Sequence, residues 1–489
     1  MVPNVNWQHA VRVVCVLVLA GCASSQALRV PRATPAPACL TALPQRDLLL
    51  GVALSGGGSR AALFGAGGLR ALGGLRTADG ASVLEQMSVL SSVSGGSLAA
   101  THYALNKPGR GVPVLGPDGA MSDAYRGFFD RSIVELSQDF ERALIRRQLA
   151  AFRWLNSSLA AVSLFEVLKA KLLGEATALD LSRREARGDS PGLILNSTLY
   201  NNGRRLVGTN FPSEAFQYDF TQDLRRTLAQ KGRRNEIPAA LTQRAALLLP
   251  LTAADLGIDQ CPTQLAGWVT ASASFPPLVG PITFRRVDQD SYWHAGDGGL
   301  YENQGIESLL FLFLNQLQDR KARRALVIAF DSSFPFSVGD RRLSARARPF
   351  SILTFDFSRV PGIMEERAST YQALFFRSLQ LEGVFPDERT VSVILLRHTD
   401  AQWRPDLSDL PPACRAETRA FRSPSDVVQR IAEIPTRLRL PSECDRQLLL
   451  TAADKVVAQR KAAILGFLDD HIQAGATDAP ELDQGQPRP

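Results

Sequence analysis

Ser94 lies in Val89-Leu90-Ser91-Ser92-Val93-Ser94-Gly95-Gly96-Ser97-Leu98, where an apolar run breaks at small residues and passes into a helix-forming stretch. That order resembles the G-x-S-x-G nucleophile elbow, which presents a serine hydroxyl at a sharp turn on a helix N-terminus. Ser92 replaces the first glycine but keeps the position small. A serine hydroxyl becomes a nucleophile only beside a base. Asp297 is a candidate: it sits among Gly296, Gly298 and Gly299, in a loop ahead of a helical stretch. A carboxylate held against serine Oγ can take its proton directly, although Asp-Gly-Gly alone is no more than a turn. The third element is Gly56-Gly57-Gly58-Ser59-Arg60, entered from the apolar run Leu48 to Leu54 and followed by an Ala-rich stretch. Glycines there bring backbone N–H groups close to a ligand, and a helix N-terminus adds positive partial charge, which suits an oxyanion or a phosphate. A tight structural turn is the plain alternative. No G-x-x-x-x-G-K-[ST] is present, and Ala61 stands where the dinucleotide fingerprint has its third glycine.

Taken together and in this order, the three motifs resemble the patatin-like phospholipase family in its bacterial members. The family's G-G-G-x-[RK] is Gly56 to Arg60, its elbow is Ser92 to Gly96 and its D-G-[GA] is Asp297-Gly298-Gly299. Pro191 to Thr198 and Ala271 to Pro277 are similar to the strand and the A-S-x-A-x-P segment between elbow and Asp, with Ser274 where a second Ala is usual. The likeness spans residues 47 to 310 well and the rest loosely. It implies a three-layer α/β/α fold and a Ser94–Asp297 dyad without histidine. Ser94 would attack an ester carbonyl, with Asp297 as base and then acid. An oxyanion hole would draw on Gly56, Gly57 and Gly58, with Arg60 nearby. No metal or other cofactor is implied. Family members act on phospholipids, lysophospholipids, neutral glycerides or simple esters, and no motif here separates these. Two rivals stand beside this reading. One is a Ser-His-Asp hydrolase, for which His398 is the candidate base, since His102 follows Ser94 by eight residues and lies about 12 Å along a helix axis. The other is a catalytically silent, lipid-anchored binding lipoprotein on the same fold.

The elements that must position these residues show in the pattern. Leu48 to Leu54, Ser88 to Val93, Leu193 to Leu199, Leu326 to Phe330 and Val391 to Leu396 read as strands alternating with helical stretches, the mark of an α/β layered fold. Ile133, Leu136, Phe140, Leu144, Leu149, Phe152 and Leu155 recur at helical spacing within a helical insertion of about 110–190. Its Phe128-Phe129, Phe152 and Trp154 read either as plain core, or as residues that line an acyl tunnel or touch lipid. The expected division is a catalytic domain over 47–400, a C-terminal helical extension packed on it over 401–473, and a disordered tail over 474–489.

The 489 residues are 45% hydrophobic and 21% charged, a globular composition that excludes disordered and collagen-like classes. The net charge of +7 is carried almost wholly by Arg and is spread out, so no nucleic-acid partner is expected, and no protein partner is legible. Val13 to Ala20 is too short to span a bilayer and reads as a secretory h-region. Leu19-Ala20-Gly21-Cys22 resembles the bacterial lipobox, which implies a signal peptide over 1–21, a lipidated Cys22 and an outer-membrane lipoprotein facing the periplasm. The Ala-, Pro- and Ser-rich stretch 22–46 reads as a flexible tether from the membrane, and the expected substrate is a membrane lipid. Cys39, Cys261, Cys414 and Cys444 would then sit in an oxidising compartment; Cys414 with Cys444 is the preferred pair, and four free thiols are the alternative.

Overall fold

Apolar runs buried on both faces build the centre of a ten-stranded sheet in the computed structural model. The structure describes residues 27 to 477 apart from 36, 151–156, most of 223–238, 277–278, most of 336–388 and 416–420. The strands are β1 (Leu28–Val30), β2 (Leu48–Leu54), β3 (Met87–Val93), β4 (Gly192–Leu199), β5 (Arg204–Thr209), β6 (Leu251–Thr252), β7 (Ile282–Arg286), β8 (Tyr292–Asp297), β9 (Arg324–Asp331) and β10 (Thr390–Arg397). The parallel run β10-β9-β2-β3-β4 contains all five strands legible as apolar runs. The other five strands form the mixed part: β4 pairs antiparallel with β5 and β8, β8 pairs antiparallel with β7, and β1 and β6 lie parallel to β7 and β5.

Residue alternation assigns each central strand to two cores. Leu50, Val52 and Leu54 of β2 and Leu326, Ile328 and Phe330 of β9 enter one; Leu49 and Ala53, and Ala325, Val327 and Ala329, enter the other. A strand covered on both faces carries apolar side chains at every position, which is why β2 shows no polar alternation. The first core lies under α1 (Ser59–Gly73), α2 (Gly95–Asn106) and, later in the chain, α7 (Leu265–Ala273). Between α2 and β4 come α3 (Asp123–Leu136), α4 (Phe140–Ala150), α5 (Ser157–Leu168) and α6 (Ala178–Arg187). Phe128 and Phe129 are buried there against Tyr103 and Tyr125, as plain core. Leu149 departs from the expected apolar face, being 61% exposed, and Phe152, Trp154 and Leu155 lie outside the described residues. The second core is closed by α8 (Ile306–Gln318), whose Leu309 and Phe313 fill the space beside Gly51. α9 (Pro424–Ala432) and α10 (Glu443–Thr477) end the described chain. α10 lies on α1, with Ala453 and Leu450 against Gly67 and Arg70 paired to Asp454 at 2.8 Å.

The segment expected as a free tether is docked from residue 28 onward. Leu28 to Val30 pair with Phe284 to Arg286, Ala33 N–H donates to Gly257 O, and Cys39 is disulfide-bonded to Cys261. Thr41 Oγ1 donates to half-buried Glu185 at 3.1 Å. Docked structure is therefore already present some twenty residues before Asp47, because β7 offers an edge and Cys261 a bridge that composition does not reveal. The preferred second bridge, Cys414–Cys444, is present. Helix α10 runs to Thr477, and 478–489 lie outside the described residues.

Candidate active site

β4 serves as a ruler on which two strand ends meet. Along one of its edges β3 pairs as far as Val93 opposite Asn196, and β8 takes over at Asp297 opposite Ser197. β3 runs parallel to β4 and β8 antiparallel to it, so they approach each other head-on. The residue after β3 is Ser94 and the last of β8 is Asp297. Adjacent positions on β4 thus bring together side chains 203 positions apart in sequence, and Ser94 Oγ donates to Asp297 Oδ2 at 2.7 Å.

The elbow at Ser94 is strained and braced. Its φ of 50° and ψ of −120° lie where a non-glycine residue costs about 1–3 kcal/mol. Ser272 Oγ donates to Asn196 O at 2.6 Å and accepts from Ser94 N–H at 2.9 Å. Because the Ser272 proton is committed, Ser97 Oγ donates to Ser272 Oγ at 2.9 Å, and Ser92 Oγ contacts Ser97 Oγ at 3.1 Å. Ser92, the residue in place of a glycine, thereby joins a serine ladder that ends on the nucleophile's own amide. Asn196 fixes the same turn from the strand side, its Nδ2 donating to Ser91 Oγ and Ser92 O at 3.0 Å.

The glycine loop crosses over this turn. A Cβ on Gly95 would lie 1.9 Å from Gly58 O, and one on Gly96 2.5 Å from Leu54 O, so only glycines allow the approach. Gly56 N–H donates to Asn303 O at 2.9 Å. Gly57 and Gly58 adopt φ of 141° and 62°, and no acceptor among the described residues takes either N–H. Arg60, expected near the oxyanion, lies beside Gly57 with its donors committed to other acceptors. It is 1% exposed, and its guanidinium donates to Ser332 O at 3.0 and 2.7 Å, Ile434 O at 2.6 Å and Thr436 Oγ1 at 3.1 Å. Ser59 N–H donates to Arg437 O at 2.7 Å, and that carbonyl sits against Gly58. Arg60 therefore anchors the loop to a C-terminal strap, because three acceptors at the helix start claim its donors.

Burial pushes the Asp297 carboxyl up to about 7, with the hydrogen bonds from Ser94 and Gly299 opposing that rise. Gly299 N–H donates to Asp297 Oδ1 at 2.8 Å, and Gly298 packs on Asn196 O. Among the described residues, His398, His102 and His294 are occupied elsewhere. His398, three strands from β3 and so about 14 Å away across the sheet, sets Nδ1 at 3.1 Å from Asp331 O. Burial, and then Arg60, hold its imidazole well below the usual range. His102 pairs with Glu135 at 2.6 Å, and His294 Nδ1 lies 2.9 Å from Thr283 Oγ1.

Ser272, Asn196 and Asn303 are positioning residues that sequence reading did not single out, although the first two lie within the stretches likened to the family. Tyr200 was also missed. Its ring packs on Gly296, and burial followed by the Asp297 charge raises its phenol above the ordinary value. A Tyr preceding Asn-Asn-Gly reads only as the start of a turn.

The model of the family described as patatin-like phospholipase matches residues 52–310, more than half of the chain. No curated protein matches it. Among solved structures, human GIVD cytosolic phospholipase A2 is similar at 14% identity and a TM-score of 0.43, over 87% of this chain and 60% of that one. VipD from Legionella pneumophila is similar at 12% identity and a TM-score of 0.25, over 90% of this chain and 82% of that one. The chain thus spans about three fifths of the human structure's length.

Proposed function

Since the chain belongs to the patatin-like phospholipase family, we propose that it is a serine lipid acyl hydrolase of phospholipase A or lysophospholipase type, acting through Ser94 and Asp297. The observation that carries this reading is the 2.7 Å hydrogen bond from Ser94 Oγ to a buried carboxylate, beneath a loop with two N–H groups open. In its ionised form Asp297 takes the Ser94 proton as Oγ attacks the ester carbonyl carbon. The developing oxyanion is met by Gly57 and Gly58 N–H, and one such preorganised donor contributes about 3 kcal/mol to the barrier. Collapse breaks the bond to the alcohol, which leaves with the proton from Asp297. Water then attacks acyl-Ser94; Asp297 takes its proton and returns one to Ser94 as the fatty acid departs.

A purely binding role gives no reason to hold a strained serine against a buried carboxylate, so the silent lipoprotein is the weaker reading. We further propose that Cys22 carries an acyl anchor, holding the enzyme at its substrate as an exported lipoprotein. The test is fatty-acid release from mixed phospholipid and lysophospholipid vesicles, with labelling of Ser94 by an organophosphonate. Release and labelling should both vanish in Ser94→Ala. Release that persists in that variant rejects the dyad, and a folded wild type that neither labels nor hydrolyses any ester favours the silent reading.

A further inference from the structure

Five exposed apolar side chains lie along the sheet edge toward which Ser94 is delivered: Tyr200 (44% exposed), Leu247 (56%), Leu248 (44%), Val287 (62%) and Tyr292 (39%). Their alignment follows from strand direction. Tyr200 comes after the last residue of β4, Val287 after the last of β7, and Tyr292 opens β8, antiparallel to both. Leu247 and Leu248 precede β6, which is parallel to β5, and β5 starts at Arg204 opposite Leu199. Across β7-β8-β4-β5-β6 the row is about 19 Å wide at ordinary strand spacing. It is tied together by Asn201 Nδ2 donating to Tyr292 O, Tyr200 N–H to His294 O and Arg205 Nη2 to Leu248 O.

We propose that this edge is a docking surface for a lipid bilayer, seating the dyad at the depth of the lipid esters; the proposal rests on the lipid hydrolase reading. Two observations select a bilayer. First, the charges at the β7–β8 tip pair off, Arg285 with Asp290 and Arg286 with Asp288 at 2.8 and 2.7 Å. The tip therefore offers apolar and Tyr side chains with local charge balance, which suits the interfacial zone of a zwitterionic membrane. Second, the short strand β1 ends beside this edge: Val287 N–H donates to Val30 O, its last residue, at 3.0 Å. Cys22 precedes Leu28 by six residues, so an acyl anchor there reaches within about 20 Å of β1. The anchor and the apolar row can thus meet one membrane plane.

The experiment uses the chain from residue 23, which lacks the acylation site, and flotation with phosphatidylcholine vesicles. Combined Leu247→Ser, Leu248→Ser, Val287→Ser and Tyr292→Ser should lower vesicle partition at least ten-fold while kcat/KM on a soluble short-chain ester stays within two-fold. Val134→Ser with Leu149→Ser, which changes two exposed apolar residues of the helical insertion, should leave partition unchanged. Ser94→Ala should float as the wild type does, so loss of the hydrolase reading would show in ester turnover and leave binding intact. Unaltered partition in the edge variant, loss in the insertion variant, or no vesicle binding by the parent chain would overturn the proposal.

Discussion

Replacing Asp297 by Asn should make the protein more stable and nearly inactive at once. Asp297 is 1% exposed, and its carboxyl is raised from 3.8 to about 7, chiefly by burial. The folded state therefore holds the proton more tightly than the unfolded chain does. The stability this contributes is complete below about 3.8 and is lost as pH rises through about 7. At about 1.4 kcal/mol per unit, most of the loss between pH 5 and pH 8 amounts to about 2–3 kcal/mol. An amide keeps both contacts, its oxygen accepting from Gly299 N–H and its nitrogen donating to Ser94 Oγ, but it carries no titrating proton. Asp297→Asn should thus gain about 2–3 kcal/mol on the wild type between pH 5 and pH 8, read as the shift in urea midpoint. Ester hydrolysis should fall by about a thousand-fold or more, since one base serves both acylation and deacylation. In the wild type, kcat/KM should climb through about pH 7 to a plateau as the carboxylate forms. A variant destabilised equally at both pH values, or one keeping a tenth of the activity, would refute the picture of a desolvated base.

Further expectations can be checked alongside. Ser272→Ala leaves the Ser94 N–H without its acceptor and should cost about 1–3 kcal/mol of stability, with a fall in kcat larger than any change in KM. Arg60→Lys cannot reproduce the fork on Ser332 O and Ile434 O. It should lower kcat at least ten-fold and the urea midpoint by an equivalent of about 2–4 kcal/mol. His398→Asn can still donate to Asp331 O and should hydrolyse esters within about three-fold of the wild type; a hundred-fold loss would restore the histidine triad. Cys39→Ser with Cys261→Ser opens a bridge across 222 positions and should cost about 3–5 kcal/mol, with new proteolytic cleavage before Asp47.

The sequence discloses the parallel half of the sheet and hides the other. Strands β2, β3, β4, β9 and β10 are near-continuous apolar runs, and their ends were legible within a residue or two. β8 reads Tyr-Trp-His-Ala-Gly-Asp, half exposed and ending in glycine and acid, so it passed for a loop; yet its register is what delivers Asp297. The residue types of the dyad were visible because glycines and small residues are needed where backbones cross. The direction of Arg60 was not, because its partners lie far along the chain and a cation beside a glycine loop looks the same whether it faces a ligand or a carbonyl.

The strap that holds the glycine loop bears on the order in which the molecule is completed. A ribosome releases Gly58, Ser94 and Asp297 well before Ile434 and Arg437, whose carbonyls bind Arg60 and Ser59. β9, which pairs with β2 just ahead of the glycines, also follows the stretch matched by the family. A chain ended at residue 310 would keep every recognisable motif yet lack the strand beside its loop and the carbonyls that hold it. The motif-bearing segment is therefore not a module that can be cut out and moved; its last parts come from the C-terminal third, closed by the Cys414–Cys444 bridge.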